Sequence, residues 1–251
     1  MQPLVSIIMP SFNSARSIAE SVQSVIDQSF SNWELIICDD CSQDETVSLA
    51  LKIAESEERI VIISNDVNSG PAVARNNALR MARGRFIAFL DSDDLWFDNF
   101  LEAQLEFLAA TSANFVFSGY EIFYDGIDRN KSYFMPTADA TFDGILKQCQ
   151  ISCLTAIYDS KIIGKMPMPN YGREDLGCWL NILKKTEKAY CNRQILAAYR
   201  IRPGSVSRNK LKIMHEQWQT IRGAANLGIV RSCFYISIWA WKGIVKYHFS
   251  R

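Results

Sequence analysis

The sequence predicts an α/β domain built on a mostly parallel central sheet flanked by helices, with further helices at the C-terminus. Three observations predict it. Short, continuously apolar segments alternate with helical patterns of about a dozen residues through the first hundred positions, which describes a parallel sheet covered on both faces. Polar and acidic residues gather after each apolar segment, where the carboxyl ends of parallel strands form a ligand crevice. A chain of 251 residues with 48% hydrophobic content supplies a sizeable core.

The elements follow in order. "LVSIIMP" (4–10) reads as the first strand, and Ile18, Val22, Val25 and Ile26 mark one face of a helix over 17–28. "WELIICDD" (33–40) is the second strand, followed by a helix over 45–56 carrying Val47, Leu51 and Ala54. "RIVIIS" (59–64) is the third strand; the helix over 71–84 opens on Pro71 and closes on Gly84. "RFIAFL" (85–90) is the fourth strand, and right-handed crossovers are expected between them. Beyond Trp96 the alternation weakens: a helix (98–110), a strand (114–124), a looser region (125–150), a helix within 172–185, a strand near 189–192, the segment "LAAYRIRPGSVSR" (196–208), and two C-terminal helices.

Composition excludes several classes. Lys+Arg 27 balances Asp+Glu 27, so no nucleic-acid partner is expected. The N-terminus lacks a signal-peptide pattern and no apolar run is long enough for a spanning helix. Seven irregularly spaced cysteines suit reduced thiols in a cytoplasm. "CDDC" (38–41) lacks the second pair that a zinc site needs and does not open a helix as redox motifs do, so it is read as incidental.

The fourth strand ends on "DSDD" (91–94). Extended backbone would point Asp91 and Asp93 to one side, two hard oxygen donors that suit Mg²⁺ or Mn²⁺ together with phosphate oxygens. The alternative is an acidic turn capping the next helix. Ser11 and Asn13, Asp39 and Asp40, and Asp66 and Asn68 follow the first three strands onto the same sheet edge, which favours a site. No G-x-G-x-x-G or Walker A pattern cradles a phosphate, so a nucleotide would be held through a metal, which points to nucleotide-sugars.

"VSIIMPSFN", "IICDDCSQDET", "NSGPAVARNNAL" and "GRFIAFLDSDD", in this order, resemble family 2 of the inverting glycosyltransferases, over about residues 4–210. The resemblance implies the two-layer nucleotide-sugar fold labelled GT-A, with residues 1–210 as catalytic domain (1–95 nucleotide-binding, 96–210 acceptor-binding) and 211–251 as a helical extension. It implies Asp40 as reader of the uracil ring, Arg75 against the base, Asp91 near ribose and sugar hydroxyls, Asp93 as metal ligand, and Ser11 and Asn13 bordering the base. Arg75 could instead be an exposed helix residue balancing Asp91. Cys41 departs from the family, which commonly has Gly there.

An inverting transfer needs a base for the acceptor hydroxyl. In "GREDLGCWLNILKK" (172–185), Leu176, Trp179, Leu180 and Leu183 mark a buried stripe with Asp175 at its edge, where desolvation would raise a carboxylate's pKa. Glu174 and Asp175 resemble the family's E-D motif with Asp175 as base; the alternative is two acids favouring a helix N-terminus. Arg200, Arg202, Ser205 and Ser207 resemble a bacterial Y-R-x-x-x-G-S-x-S segment that could fold over a diphosphate; the alternative is a basic surface turn. Over 229–249 the last helix is rich in aromatics, and Arg231, Lys242 and Lys246 fall within an arc of about 60°, suiting either a membrane interface or packing on the domain.

The resemblance implies a UDP-sugar donor; UDP-glucose follows only from overall similarity to O-antigen glucosyltransferases, since no residue selects glucose over galactose. With a membrane-contacting last helix it also implies a lipid-diphosphate-linked sugar acceptor, GlcNAc- or GalNAc-diphosphate-undecaprenol, of O-antigen or related surface-polysaccharide synthesis. The protein would be cytoplasmic, peripheral on the inner membrane surface; a homo-oligomer is left open. The competing readings are a sugar-nucleotide-forming nucleotidyltransferase, for which "PSFNSARS" supplies no phosphate loop, and a non-catalytic scaffold.

Overall fold

The computed structural model of the chain describes residues 2–124, 132–201 and 210–249, the last segment with side chains over 212–243. Strands β1 (Val5–Ser11), β2 (Trp33–Asp39), β3 (Ile60–Ser64) and β4 (Phe86–Phe89) alternate with helices α1 (Ile18–Ile26), α2 (Thr46–Ala54) and α3 (Pro71–Met81) as expected. The first four strands are parallel in the order β3-β2-β1-β4. Alternation along β1 splits the core. Val5, Ile7 and Met9 join Val22 of α1 on one face, whereas Ile8 joins Ala74 and Ala78 of α3 on the other, so both faces of the sheet are dry.

After β4 come β5 (Leu95–Trp96), α4 (Phe100–Thr111), β6 (Phe115–Tyr124), β7 (Ser132–Phe134), α5 (Phe142–Lys147), β8 (Ile157–Asp159), α6 (Ser160–Ile163), α7 (Glu174–Leu183) and β9 (Tyr190–Ile201). The sheet continues β4-β8-β6-β9-β5, with β7 against β6. This half is mixed: β8 is antiparallel to both β4 and β6, while β6 and β9 are parallel. The three-residue strands β7 and β8 are too short to carry a period. The strand expected near 189–192 and the segment expected after 196 are one continuous strand, β9. Polar Asn192, Arg193 and Gln194 interrupt the apolar pattern without breaking the backbone, because Asn192 is buried and bonds Gln104.

Helix α8 (Lys210–Gly223) packs into the same core as α7. Gln217, Thr220 and Ile221 are fully buried, and Ile221 shares a cluster with Leu176, Trp179 and Leu180. Helix α9 (Ile229–Phe249) lies against α8 and α5 through Tyr235 and Ile236, and the Tyr235 hydroxyl bonds Asp143.

Candidate active site

The carboxyl ends of β1 to β4 meet as expected, and hydrogen bonds show what each polar residue does there. Asp39, buried at the end of β2, accepts from Ser11 Oγ (3.0 Å), Ser42 N (2.8 Å) and Ser42 Oγ (2.5 Å). Asn13 adopts φ 48° and links the two loops, donating from its amide to Ser42 Oγ and accepting from Gln43 N. Cys41 has φ 66°. That left-handed conformation explains why glycine is favoured at this position, and a side chain there costs about 1 kcal/mol.

Asp40 is also buried, and its carboxylate accepts from Asn65 Nδ2 (2.7 Å), Ser69 N (3.0 and 3.1 Å) and Gly70 N (2.6 Å). Gly70 takes φ 88° immediately before Pro71 opens α3. Asp40 thereby organises the 65–70 loop and the entry to α3.

The DSDD segment is a turn, since β4 ends at Phe89 and Asp94 N donates to Asp91 O at 3.1 Å. The strand ends before Asp91 and Asp93, so strand alternation does not place them; Asp91 and Asp94 of the turn line the adjoining cavity. Ser92 bolts the turn to the first loop through Ser14 Oγ (2.7 Å) and Ser17 Oγ (2.8 Å). Burial pushes the Asp94 carboxyl well above its ordinary pKa, and the charges of Asp91 and Asp93 add to the rise. Three carboxylates crowd this turn, with Asp91 paired to Arg75 and Asp94 accepting from Arg200 N. Among the described residues no three His, Cys, Asp or Glu side chains form a ready metal cage. An ion that takes one or two carboxylates plus phosphate oxygens, as Mg²⁺ does, fits this donor set.

Two arginines behave differently from expectation. Arg75 is buried, with a side chain 7% exposed, and bonds Asp91 at 2.6 Å and Glu174 at 3.2 Å. It is not a surface residue; it ties the DSDD turn to the start of α7. Arg200 lies within β9 and is buried, donating from Nε to the Asp93 carbonyl (2.7 Å) and from its backbone N to Asp94 Oδ1 (2.9 Å), with Glu20 at 2.5 Å from Nη2. It underpins the acidic turn, so a covering lid is not its place. The other expected lid residues, Arg202, Ser205 and Ser207, lie outside the described residues.

These elements surround an open cavity of about 500 Å³. Arg75, Asp91 and Asp94 line it together with Arg173, Glu174 and Asp175 at the start of α7, and because Arg75 bridges Asp91 and Glu174 the acidic turn and the start of α7 adjoin. Asp175 is half-buried, and among the described residues it forms no ion pair, its Oδ1 accepting only from Leu176 N. Tyr120, Phe134 and Tyr199 make an aromatic wall, with ring centroids 5.1 and 5.9 Å apart. The sequence reading missed this wall and Arg173. The two tyrosines carry a signal only once β6 and β9 are paired, which brings residues 79 apart in the chain together.

Comparison with known proteins identifies the family. The profile described as Glycosyl transferase family 2 matches residues 6–165. A candidate teichuronic acid biosynthesis glycosyltransferase, TuaG of Bacillus subtilis, is 43% identical over 247 residues, 98% of each chain. WfgD of Escherichia coli, named a UDP-Glc:α-D-GlcNAc-diphosphoundecaprenol β-1,3-glucosyltransferase, is 37% identical over 98% of this chain and 96% of its own. S. aureus TarS 1–349, solved in complex with UDP-GlcNAc, has a TM-score of 0.72 at 22% identity, covering 98% of this chain and 72% of that one; this likeness shows the GT-A fold. The chain is a glycosyltransferase and belongs to glycosyl transferase family 2.

Proposed function

We propose that the protein transfers a sugar, most simply glucose, from a UDP-sugar with inversion to a β-linkage, β-1,3 as in WfgD. The acceptor is a GlcNAc- or GalNAc-diphosphate-undecaprenol of surface-polysaccharide synthesis. The carrying observation is one cavity lined both by a crowded acidic turn and by Asp175, which is free of any ion pair among the described residues. WfgD's printed activity supports the choice of donor and acceptor.

In this reading Asp175 takes the proton of the acceptor hydroxyl, which sharpens the nucleophile as the diphosphate leaves from the opposite face. Asp91, oriented by Arg75, meets the donor's hydroxyls, and the serine bonds to Ser92 fix the height of the turn. The aromatic wall offers flat apolar faces to a pyranose and excludes water from one side. A Mg²⁺ or Mn²⁺ held by Asp93 with Asp91 would neutralise the diphosphate's charge. Ser11 and Asn13 shape the loop beside the base. The test is a screen of UDP-sugars against a synthetic GlcNAc-diphosphate-lipid, after chelator treatment and again with manganese. Transfer from UDP-glucose restored by manganese, with a β-linkage by NMR, is expected; UDP-sugar binding with no transfer to any acceptor would favour the scaffold.

The membrane surface enters through α9. Among the described residues no helix is long and apolar enough to cross a membrane. Its packed side carries Ser232, Tyr235 and Ile236, while Val230, Phe234 and Trp241 are 85%, 57% and 67% exposed. Those three fall within about 40° at 100° per residue, and exposed Arg231 and Lys242 flank them. Such a face suits an anionic headgroup layer. The double change Phe234→Ser with Trp241→Ser is expected to weaken sedimentation with phosphatidylglycerol vesicles by about tenfold or more, with the melting temperature unchanged. Undiminished sedimentation would remove α9 from the membrane reading.

A further inference from the structure

Arg173 stands directly before Glu174 and Asp175, in extended backbone (φ −93°, ψ 100°) that turns into α7. Helix α8 holds it there. A Cβ on Gly172, which has φ +64°, would meet Thr220 Oγ1 at 2.4 Å and the Glu216 carbonyl at 2.7 Å, so only glycine lets the turn approach this closely. Arg173 N then donates to Thr220 Oγ1 at 2.8 Å. The side chain lines the cavity.

The two guanidinia that line this cavity differ in how far they are satisfied. Arg75 is held by two carboxylates, Asp91 and Glu174. Arg173 forms no ion pair among the described residues, and its guanidinium makes one long hydrogen bond there, 3.4 Å from Nη1 to Gln217 Oε1. Most of its five donors are therefore unspent. Gln150 and Ser152 line the same cavity and add neutral polar groups. A half-buried guanidinium with an open fork matches the geometry of a phosphate.

The geometry points to Arg173 as the anchor for the acceptor's diphosphate, a specificity-determining contact distinct from the donor's phosphates at the DSDD turn. The inference rests on the reading of Asp175 as base. In a sugar 1-diphosphate the attacking hydroxyl and the first phosphate are carried by one ring. Arg173 and Asp175, two positions apart at the start of one helix, can hold the phosphate and take the proton of the same molecule. The charges of Asp175, Glu174 and Glu216 stabilise the guanidinium without bonding it. An acceptor lacking the anion would therefore still reach Asp175 but would leave the fork's donors without an acceptor in a partly desolvated site.

The test compares two probes, a long-chain alkyl diphosphate ester of GlcNAc and the neutral alkyl glycoside of GlcNAc, on wild type, Arg173→Gln and Arg173→Lys. Affinities are read by calorimetry and transfer by kcat/KM. Arg173→Gln is expected to lower affinity for the diphosphate probe by about tenfold or more, and the kcat/KM preference for it over the neutral glycoside falls by the same factor. Arg173→Lys, which keeps the charge without the fork, falls between. Undiminished affinity for the diphosphate probe, or an equal loss on both probes, overturns the anchor and makes Arg173 a structural brace. Wild-type binding that depends on Arg173, without any sugar transfer, would leave the subsite standing and bring down the proposed reaction.

Discussion

Asp175→Asn cuts sugar transfer by roughly a hundredfold to ten-thousandfold and leaves UDP binding intact: this is the largest single effect expected. The two acids of the E-D pair are not equivalent. Glu174 is tied to Arg75 at 3.2 Å, so its charge is engaged in holding the turn to the helix. Asp175 forms no ion pair among the described residues and lines the cavity with one oxygen bonded to Leu176 N. An amide in its place keeps the shape and can still accept from Leu176 N, so the fold is preserved while the capacity to take a proton is lost. General-base catalysis contributes roughly a hundredfold to ten-thousandfold, and kcat should fall by that factor. UDP release under saturating donor and acceptor measures it, and calorimetry with UDP and manganese measures the retained affinity. A variant that turns over within a few-fold of wild type would assign the base elsewhere.

The same comparison shows what could be read from the chain. Strands β1 to β4 are legible because each is a continuous apolar run ended by polar residues, and burial on both sheet faces leaves no other reading. The α7 stripe is legible too, since Leu176, Trp179, Leu180 and Leu183 are all buried as their spacing requires. Strand β9 was split by a polar patch whose partner, Gln104, sits 88 residues away. Strand alternation could not place Asp91 and Asp93 for a local reason: the strand ends before the motif, and a turn puts Asp91 and Asp94 on the cavity. Arg75 was legible as a participant, since its motif named it, but its bonds to Asp91 and Glu174 were not. Which carboxylates a buried guanidinium meets depends on which helix N-terminus the fold brings opposite, and no spacing within 71–84 encodes that.

Arg75→Leu should be the most damaging substitution for stability at the site. Burial opposes the guanidinium's charge, yet Asp91 and Glu174 hold its pKa well above the ordinary value, so it stays charged as the counterion of both. Leucine fills comparable space without that charge and strands two carboxylates, which then repel each other and Asp94. Removing one partner of a fully buried pair costs about 3–5 kcal/mol. Here the carboxylate side chains are 32% and 28% exposed, and water offsets part of the loss, so about 2–3 kcal/mol is expected. For a chain of this size that is a fall of roughly 5–10 °C in melting temperature. Arg75→Lys retains the charge but cannot span both acids with one planar fork, so it should recover part of the stability and little of the turnover, because the DSDD turn and α7 lose their shared brace. That divergence between melting temperature and kcat separates a positioning role from bulk destabilisation. If the lysine variant regained both in equal measure, charge alone would explain Arg75, and the geometric link between the DSDD turn and α7 would have no support.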